Sequence, residues 1–341
     1  MNVRPPGPTL RCKTPRFSHH SLAFSPFFEN RLAVASGANF GLVGNGRLHI
    51  LEVSEGGLGV AKWFDTQDCV YDVAWNEQHE NQVLAGCGDG GLRLFDITLE
   101  ASGELLFCTS DETPSSLPTF QQRRLPVKIW HEHSAEIMSV EWNNLQKDTF
   151  CTASWDQHVK IWTTARQTSL VTIPAGEGQM YGASWSPHTP SMLATCGAEG
   201  FLKIYDLRTG DPSKPIQGFR ASPTEVLCCD WNKYDISTIA TASKDNGLRI
   251  WDMRAGTAVC DTDFRGHTMA VRKVQWSPHH RDILASSGYD MTCRVWNRTR
   301  PAATMVHTDH SEFVMGLGWA LFDPGLLGSC AWDEEVHLYR T

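Results

Sequence analysis

Several groups of residues in this chain could do chemistry. Gly86-Cys87-Gly88-Asp89-Gly90-Gly91 matches the G-x-G-x-x-G pattern that cradles a dinucleotide pyrophosphate. That chemistry needs a strand before the glycines and a helix after them, and the residues after Gly91 read as a strand, so the pattern fails its context. His131-x-His133 could form a metal pair, but no third ligand lies near it in the sequence, and no metal site is expected. His188 follows Trp185-Ser186-Pro187, and His279-His280 follow Trp276-Ser277-Pro278; these histidines read as exposed turn residues rather than ligands. There is no phosphate-loop lysine motif and no G-x-S-x-G elbow. The expectation is no catalytic residue, no cofactor and no enzyme. What remains is a set of acids, Asp68, Glu136, Glu225 and Glu312, and a set of aromatics, Trp155, Tyr289 and Trp332. Their meaning depends on the elements that carry them.

Those elements repeat. Short runs end at Leu51, Phe95, Trp162, Tyr205, Trp251, Trp296 and Tyr339, with spacings of 44, 67, 43, 46, 45 and 43 residues. Six positions before each of these anchors stands an acid or Asn: Asn45, Asp89, Asp156, Glu199, Asp245, Asp290 and Asp333. Fourteen positions earlier again stands a Trp in six of the seven copies: Trp75, Trp142, Trp185, Trp231, Trp276 and Trp319. In the first copy Phe24 lies seven residues further away than this rule predicts. Alternation within the runs, as in Leu92 and Leu94 against Arg93 and Phe95, has the period of a strand. Asp89-Gly90 and Asn45-Gly46 are hairpin-turn pairs. About four short strands per repeat make a sheet that must bury its faces against its neighbours.

Composition agrees with a packed chain. Of 341 residues, 41% are apolar and 20% charged. The 30 Lys and Arg against 38 Asp and Glu give a net charge of −8, which argues against nucleic acid or an anionic membrane as partner. The 11 cysteines include no Cys-x-x-Cys pair, and Cys228 and Cys229 are adjacent; reduced, buried thiols are expected. The opening Met1-Asn2-Val3-Arg4-Pro5-Pro6 has no apolar segment, so no secretory leader is expected and Asn297-Arg298-Thr299 is not expected to be glycosylated. No apolar stretch is long enough to span a bilayer.

The period, Trp251-Asp252 and Gly266-His267 resemble WD40 repeats, and seven anchors then imply a seven-bladed WD40 β-propeller, a single domain over residues 1–341. His133, His267 and His310 occupy the family's His position. The resemblance gives His133, Asp156 and Trp162, and His267, Asp290 and Trp296, the role of a buried structural network, with copies lacking the His less tightly held. The seventh anchor is followed by two residues only, so Thr9-Leu10-Arg11-Cys12-Lys13 is expected to supply the last outer strand and clasp the ring. The long second spacing holds an insert at about 100–126, read as a surface loop. In such a ring the turns entering the innermost strands meet on one face. Asp68, Glu136, Glu225 and Glu312 fall on them, six or seven positions before the strand-ending Trp. Trp155, Tyr289 and Trp332 precede turn acids and should reach the same face. An acidic rim beside aromatics suits a basic, amphipathic peptide.

A closer resemblance lies in Phe24-Ser25-Pro26-Phe27-Phe28-Glu29-Asn30-Arg31-Leu32-Ala33, Val70-Tyr71-Asp72-Val73-Ala74-Trp75, Ser154-Trp155-Asp156-Gln157, Cys229-Asp230-Trp231-Asn232-Lys233-Tyr234 and Ser329-Cys330-Ala331-Trp332-Asp333-Glu334. These are similar to the peroxisomal type 2 targeting-signal receptors, the peroxin 7 family, over roughly residues 8–341. That resemblance implies a cytoplasmic receptor that shuttles to the peroxisome. Its cargo would be matrix enzymes such as thiolase, and its other partners an import co-receptor and docking peroxins at the peroxisomal membrane. The family reads a basic–apolar pair, five free residues, then His or Gln and an apolar residue, which form one face of a helix. Asp68 and Glu136 match the family's contacts to the basic residue, whereas Glu225 and Glu312 rest on the rim reading alone. A generic WD40 scaffold, such as a ubiquitin-ligase substrate receptor or a histone-tail reader, is the alternative.

Overall fold

A computed structural model describes residues 9–39, 44–99, 125–254 and 258–341. They form seven antiparallel sheets of four strands each, and among them there is no α-helix. The blades take residues 17–66, 70–131, 137–174, 180–220, 226–264, 271–307 and 314–340 in turn, the last completed by strand Leu10–Lys13. The innermost strand of each blade packs on that of the next, and Val314–Trp319 of blade 7 packs on Phe17–Phe24 of blade 1, closing the ring. The chain is a seven-bladed β-propeller.

The sequence pattern follows from burial on both faces of every sheet. In Gly91–Asp96, Leu92 and Leu94 face the seam with blade 3, packing with Ile137, Val140 and Trp142. Phe95 points the other way, into the seam with blade 1, against Ile50 and Phe64. All seven anchors are buried in this manner. Cys228 and Cys229, one residue apart, fall into different seams, and the ten described cysteines are free thiols. Three of the Trp residues that end inner strands tie their blade to the one before it. Trp75, Trp231 and Trp319 donate their indole N–H to carbonyls of the preceding blade, at Ala23, Ser184 and Gln275 (2.9, 3.1 and 3.2 Å). Phe24 sits off register because the second strand of blade 1 has eight residues where that of blade 2 has six, and Asn45 lies seven residues beyond its end where Asp89 lies two beyond Cys87. Gly200 (φ 78°) must be Gly, since a Cβ there would lie 2.4 Å from the Ser222 carbonyl oxygen. Residues 100–124 of the expected insert lie outside the described residues.

Closure is made by the expected N-terminal strand. Leu10, Arg11, Cys12 and Lys13 pair with Leu338, His337, Val336 and Glu335. The Thr14 N–H donates to the Glu334 carbonyl at 2.8 Å, and Arg11 pairs with Asp309 at 2.5 Å. Deleting residues 1–15 removes this edge and uncovers the seam around Cys12, Leu22 and Leu338. The expected loss of several kcal/mol would lower the melting temperature by roughly 10 °C, as calorimetry would show; an unchanged transition would refute the clasp.

Among the buried histidines beside the clasp are His19, His20, His49, His307 and His337. Desolvation lowers them all, His19 and His307 from 6.5 to about 4 and His20 to about 3. A buried neutral imidazole binds its proton less readily in the ring than in the open chain, so stability is complete above 6.5 and falls as pH drops towards 4. Denaturant unfolding at successive pH values should show this fall, and replacing His307 with Gln should flatten it.

Candidate functional site

Two sets of turns meet on one face of the ring. In blades 2 to 7 the turn entering the inner strand is bonded to the turn between the second and third strands of the same blade. Trp155 N–H donates to Glu136 O, Lys244 to Glu225 O, Tyr289 to Ala270 O and Trp332 to Phe313 O, all at 3.0 Å. The expected acids and aromatics therefore share one rim. Each inner strand also carries a β-bulge below that rim. The displaced residues are His20, Tyr71, Met138, Tyr181, Leu227, Arg272 and Met315, one per blade at matching positions.

These bulges join the rim into a band. Tyr289 stacks on Phe313 (5.0 Å between centroids), Phe313 meets Trp332 (5.3 Å), Trp332 meets His20 (6.1 Å) and His20 meets Tyr71 (5.0 Å). The band crosses blades 6, 7, 1 and 2 without a break. At its end Tyr71 lies beside Asp68 and Glu136; burial chiefly, then Cys69, Glu136 and Asp68, raise its phenol. Trp155 and Tyr181 form a second, separate pair at 6.2 Å. The Nε2 of His20 and the indole N–H of Trp155 are buried without a partner among the described residues.

The four acids are not equivalent. Glu225 is already neutralised by Lys244 at 2.7 Å, which lowers its pKa. Asp68, Glu136 and Glu312 have no cationic partner within 4 Å among the described residues; the first two are half-buried and Glu312 is exposed. A half-buried, unpaired carboxylate strengthens any charged hydrogen bond it accepts. Asp68 and Glu136 are therefore the two positions best suited to a cation.

The rim aromatics are held by the networks beneath them. A carboxylate only accepts, so His133 Nδ1–H donates to Asp156 (2.7 Å); Thr152 Oγ–H then donates to His133 Nε2 (2.7 Å) and accepts the Trp162 indole N–H (2.9 Å). His267, Asp290, Ser286 and Trp296 repeat this at 2.7–2.9 Å. His310, Asp333 and Ser329 do so at 2.8 and 2.9 Å. His133 and His267 lower Asp156 and Asp290 to about 2, against the opposing effect of burial, the largest single influence. Blades 2, 4 and 5, which lack the His, bond the turn acid in another way. Asp89 pairs with Arg93, Glu199 with Lys203 (3.1 Å) and Asp245 with Arg249 (2.5 Å), a base four residues on taking the place of the imidazole.

With this geometry in place, comparison with known proteins is decisive. The WD domain, G-beta repeat family matches residues 124–163, 213–252 and 258–297. The chain is 35% identical to the peroxisomal targeting signal 2 receptor of Saccharomyces cerevisiae, over 97% of this chain and 99% of the relative. It is 35% identical to the human receptor of the same name (91% and 88%) and 36% identical to peroxisome biogenesis protein 7 of Arabidopsis thaliana (95% of each). The chain belongs to the peroxisomal targeting signal 2 receptor family.

In this family member, the other chemical groupings resolve into structure. Gly86–Gly91 spans a hairpin between two strands, with Gly90 in the left-handed region (φ 77°). His131 contacts the Asp89 carbonyl oxygen at 2.9 Å, while His133 serves its network. His188 and His279 are half-buried rather than exposed, and each bonds a carbonyl of the next blade, at Asn232 and Ala320 (2.9 Å). The sequence reading missed Tyr71, Tyr181, His20 and Phe313. The first three lie four positions before the residue that ends the inner strand, and Phe313 holds the place that Glu136 fills in blade 3. It also missed Thr152, Ser286 and Ser329, each ten positions before an anchor. Thr152→Val would strand both His133 Nε2 and the Trp162 N–H. A loss of about 2–4 kcal/mol in denaturant unfolding is expected, with Thr152→Ser near wild type.

Proposed function

We propose that this chain is an import receptor for the helical type 2 peroxisomal targeting signal. Its basic end would pair with Asp68 and Glu136, and its apolar face would lie along Tyr71, His20, Trp332 and Phe313. The observation that carries this reading is the continuous aromatic band ending beside two unpaired carboxylates. The relatives named as receptors for this signal support it. A helix bearing a basic residue and an apolar stripe on one face needs that combination: carboxylates for the cation and aromatic area for the stripe. Trp332 and Tyr289 adjoin the acids Asp333 and Asp290 that the networks hold, so they lose little side-chain entropy on binding.

In this reading the receptor picks up newly made matrix proteins, such as thiolase, in the cytoplasm. A co-receptor then covers the exposed side of the helix and delivers the complex to docking peroxins. The receptor works by binding, and no catalytic step is assigned to it.

The test is fluorescence anisotropy with a labelled type 2 signal peptide, with and without a co-receptor. Saturable binding is expected, weakened roughly 30-fold or more by Glu136→Lys, as for a close charge pair broken across an interface. Glu225→Gln should change affinity less than about twofold, because Lys244 already satisfies that carboxylate. Absence of binding with a competent co-receptor would overturn the receptor reading. Loss confined to Glu225→Gln would move the cation site to blade 5.

A further inference from the structure

At the place just before the turn acid, blades 3, 6 and 7 carry the rim aromatics Trp155, Tyr289 and Trp332, whereas blade 2 carries Gly88. The backbone does not demand glycine there, because Gly88 lies outside the left-handed region that Gly90 occupies. Its N–H donates to the Cys69 carbonyl at 2.9 Å, as the Trp155 N–H does to that of Glu136, so the two turns are built alike. What differs is the space above the backbone. A Cβ on Gly88 would lie 3.1 Å from the Asp68 carboxylate, at both Cγ and Oδ1, and 3.2 Å from Cε2 of the Tyr71 ring. The missing side chain therefore lets a carboxylate and an aromatic ring settle over the same spot.

Both groups are held in place. Asp68 Oδ1 accepts the Cys69 N–H at 2.7 Å, which sets the carboxylate and leaves Oδ2 without a partner among the described residues. The Tyr71 ring rests against His20, with 5.0 Å between centroids. Glu136, which like Asp68 has no cationic partner within 4 Å among the described residues, lies close enough to help raise the Tyr71 phenol. Asp68, Tyr71, Gly88 and Glu136 are all half-buried, so each is open to the rim on one side. Two carboxylates beside a ring do more than attract a positive charge. An ammonium is compact and strongly hydrated, and a carboxylate alone satisfies it. A guanidinium is planar and weakly hydrated, and gains from a carboxylate at its edge and a ring against its face together.

We propose that Asp68, Tyr71 and Glu136, gathered over Gly88, form a pocket that selects a guanidinium over an ammonium, so that the basic end of the bound helix is read as arginine rather than lysine. This rests on the receptor reading above. It makes Tyr71, at the end of the aromatic band, the discriminating residue, and Gly88 the residue that positions it against Asp68.

Two labelled signal peptides that differ only by Arg or Lys at the basic position test this, by anisotropy with the full chain and a co-receptor. The arginine peptide should bind at least about fivefold tighter, as for a cation set against a ring. Tyr71→Leu leaves both carboxylates in place and should reduce that preference below about twofold. Gly88→Ala, whose methyl would part ring and carboxylate, should do the same. Far-ultraviolet dichroism and the melting temperature check that each variant folds as the parent does. Equal affinities of the two peptides for the unaltered chain would overturn the pocket while leaving the receptor. So would a preference that survives either substitution, including a weakening of both peptides alike, which is what a merely structural Gly88 would give. Binding of neither peptide would overturn the receptor reading and the pocket with it.

Discussion

Every blade of this ring has two apolar faces, and that is the constraint on which the rest depends. A single four-stranded sheet would expose Leu92 and Leu94 on one side and Phe95 on the other. Only a closed ring covers both, because each face then meets a neighbour and no end is left. Buried residues accordingly gather into seven clusters, one for each seam. The seam between blades 7 and 1 differs in kind, since it joins strands from opposite ends of the chain: Cys12 and Leu338 lie there with Leu22 and Leu32. Formation of that seam demands the largest loop closure in the fold, and the pairing of Leu10–Lys13 with Glu335–Arg340 holds it.

Closure also sets the rim. The turns that carry Asp68, Glu136, Glu225 and Glu312 are the entrances to the inner strands, so the ring gathers them around its axis. The tightly bonded acids Asp156, Asp290 and Asp333 lock the neighbouring turns and so fix Trp155, Tyr289 and Trp332. Stability and the proposed recognition draw on the same turns here. An imidazole that holds a blade together also holds a rim aromatic in place one residue from its partner acid.

The two ends of the axis have opposite character. On the rim, aromatics and unpaired carboxylates face outward. Below them, side chains of the inner strands carry charge across the ring, chiefly to satisfy backbone N–H groups of the neighbouring blade. The bulge in every inner strand separates these regions. It turns one residue per blade out of the alternating register, beneath the rim.

Repeat number, strand period, the clasp and the general place of the rim were legible in the sequence. Each is a local pattern repeated at a fixed distance, and repetition turns a weak local signal into a strong one. The histidine networks were legible for the same reason, though their Ser and Thr members, Thr152, Ser286 and Ser329, passed unseen among many hydroxyl residues. What tertiary structure alone decided was how the repeats differ. Position within a repeat does not say that Glu225 meets Lys244 while Glu136 meets no cation among the described residues, because a side chain's partners come from turns distant in sequence. Nor does it say that Tyr289, Phe313, Trp332, His20 and Tyr71 touch in succession, for that contact spans four blades and the joined ends of the chain. A periodic sequence specifies the blade; the closed ring brings the non-identical residues of different blades into one surface.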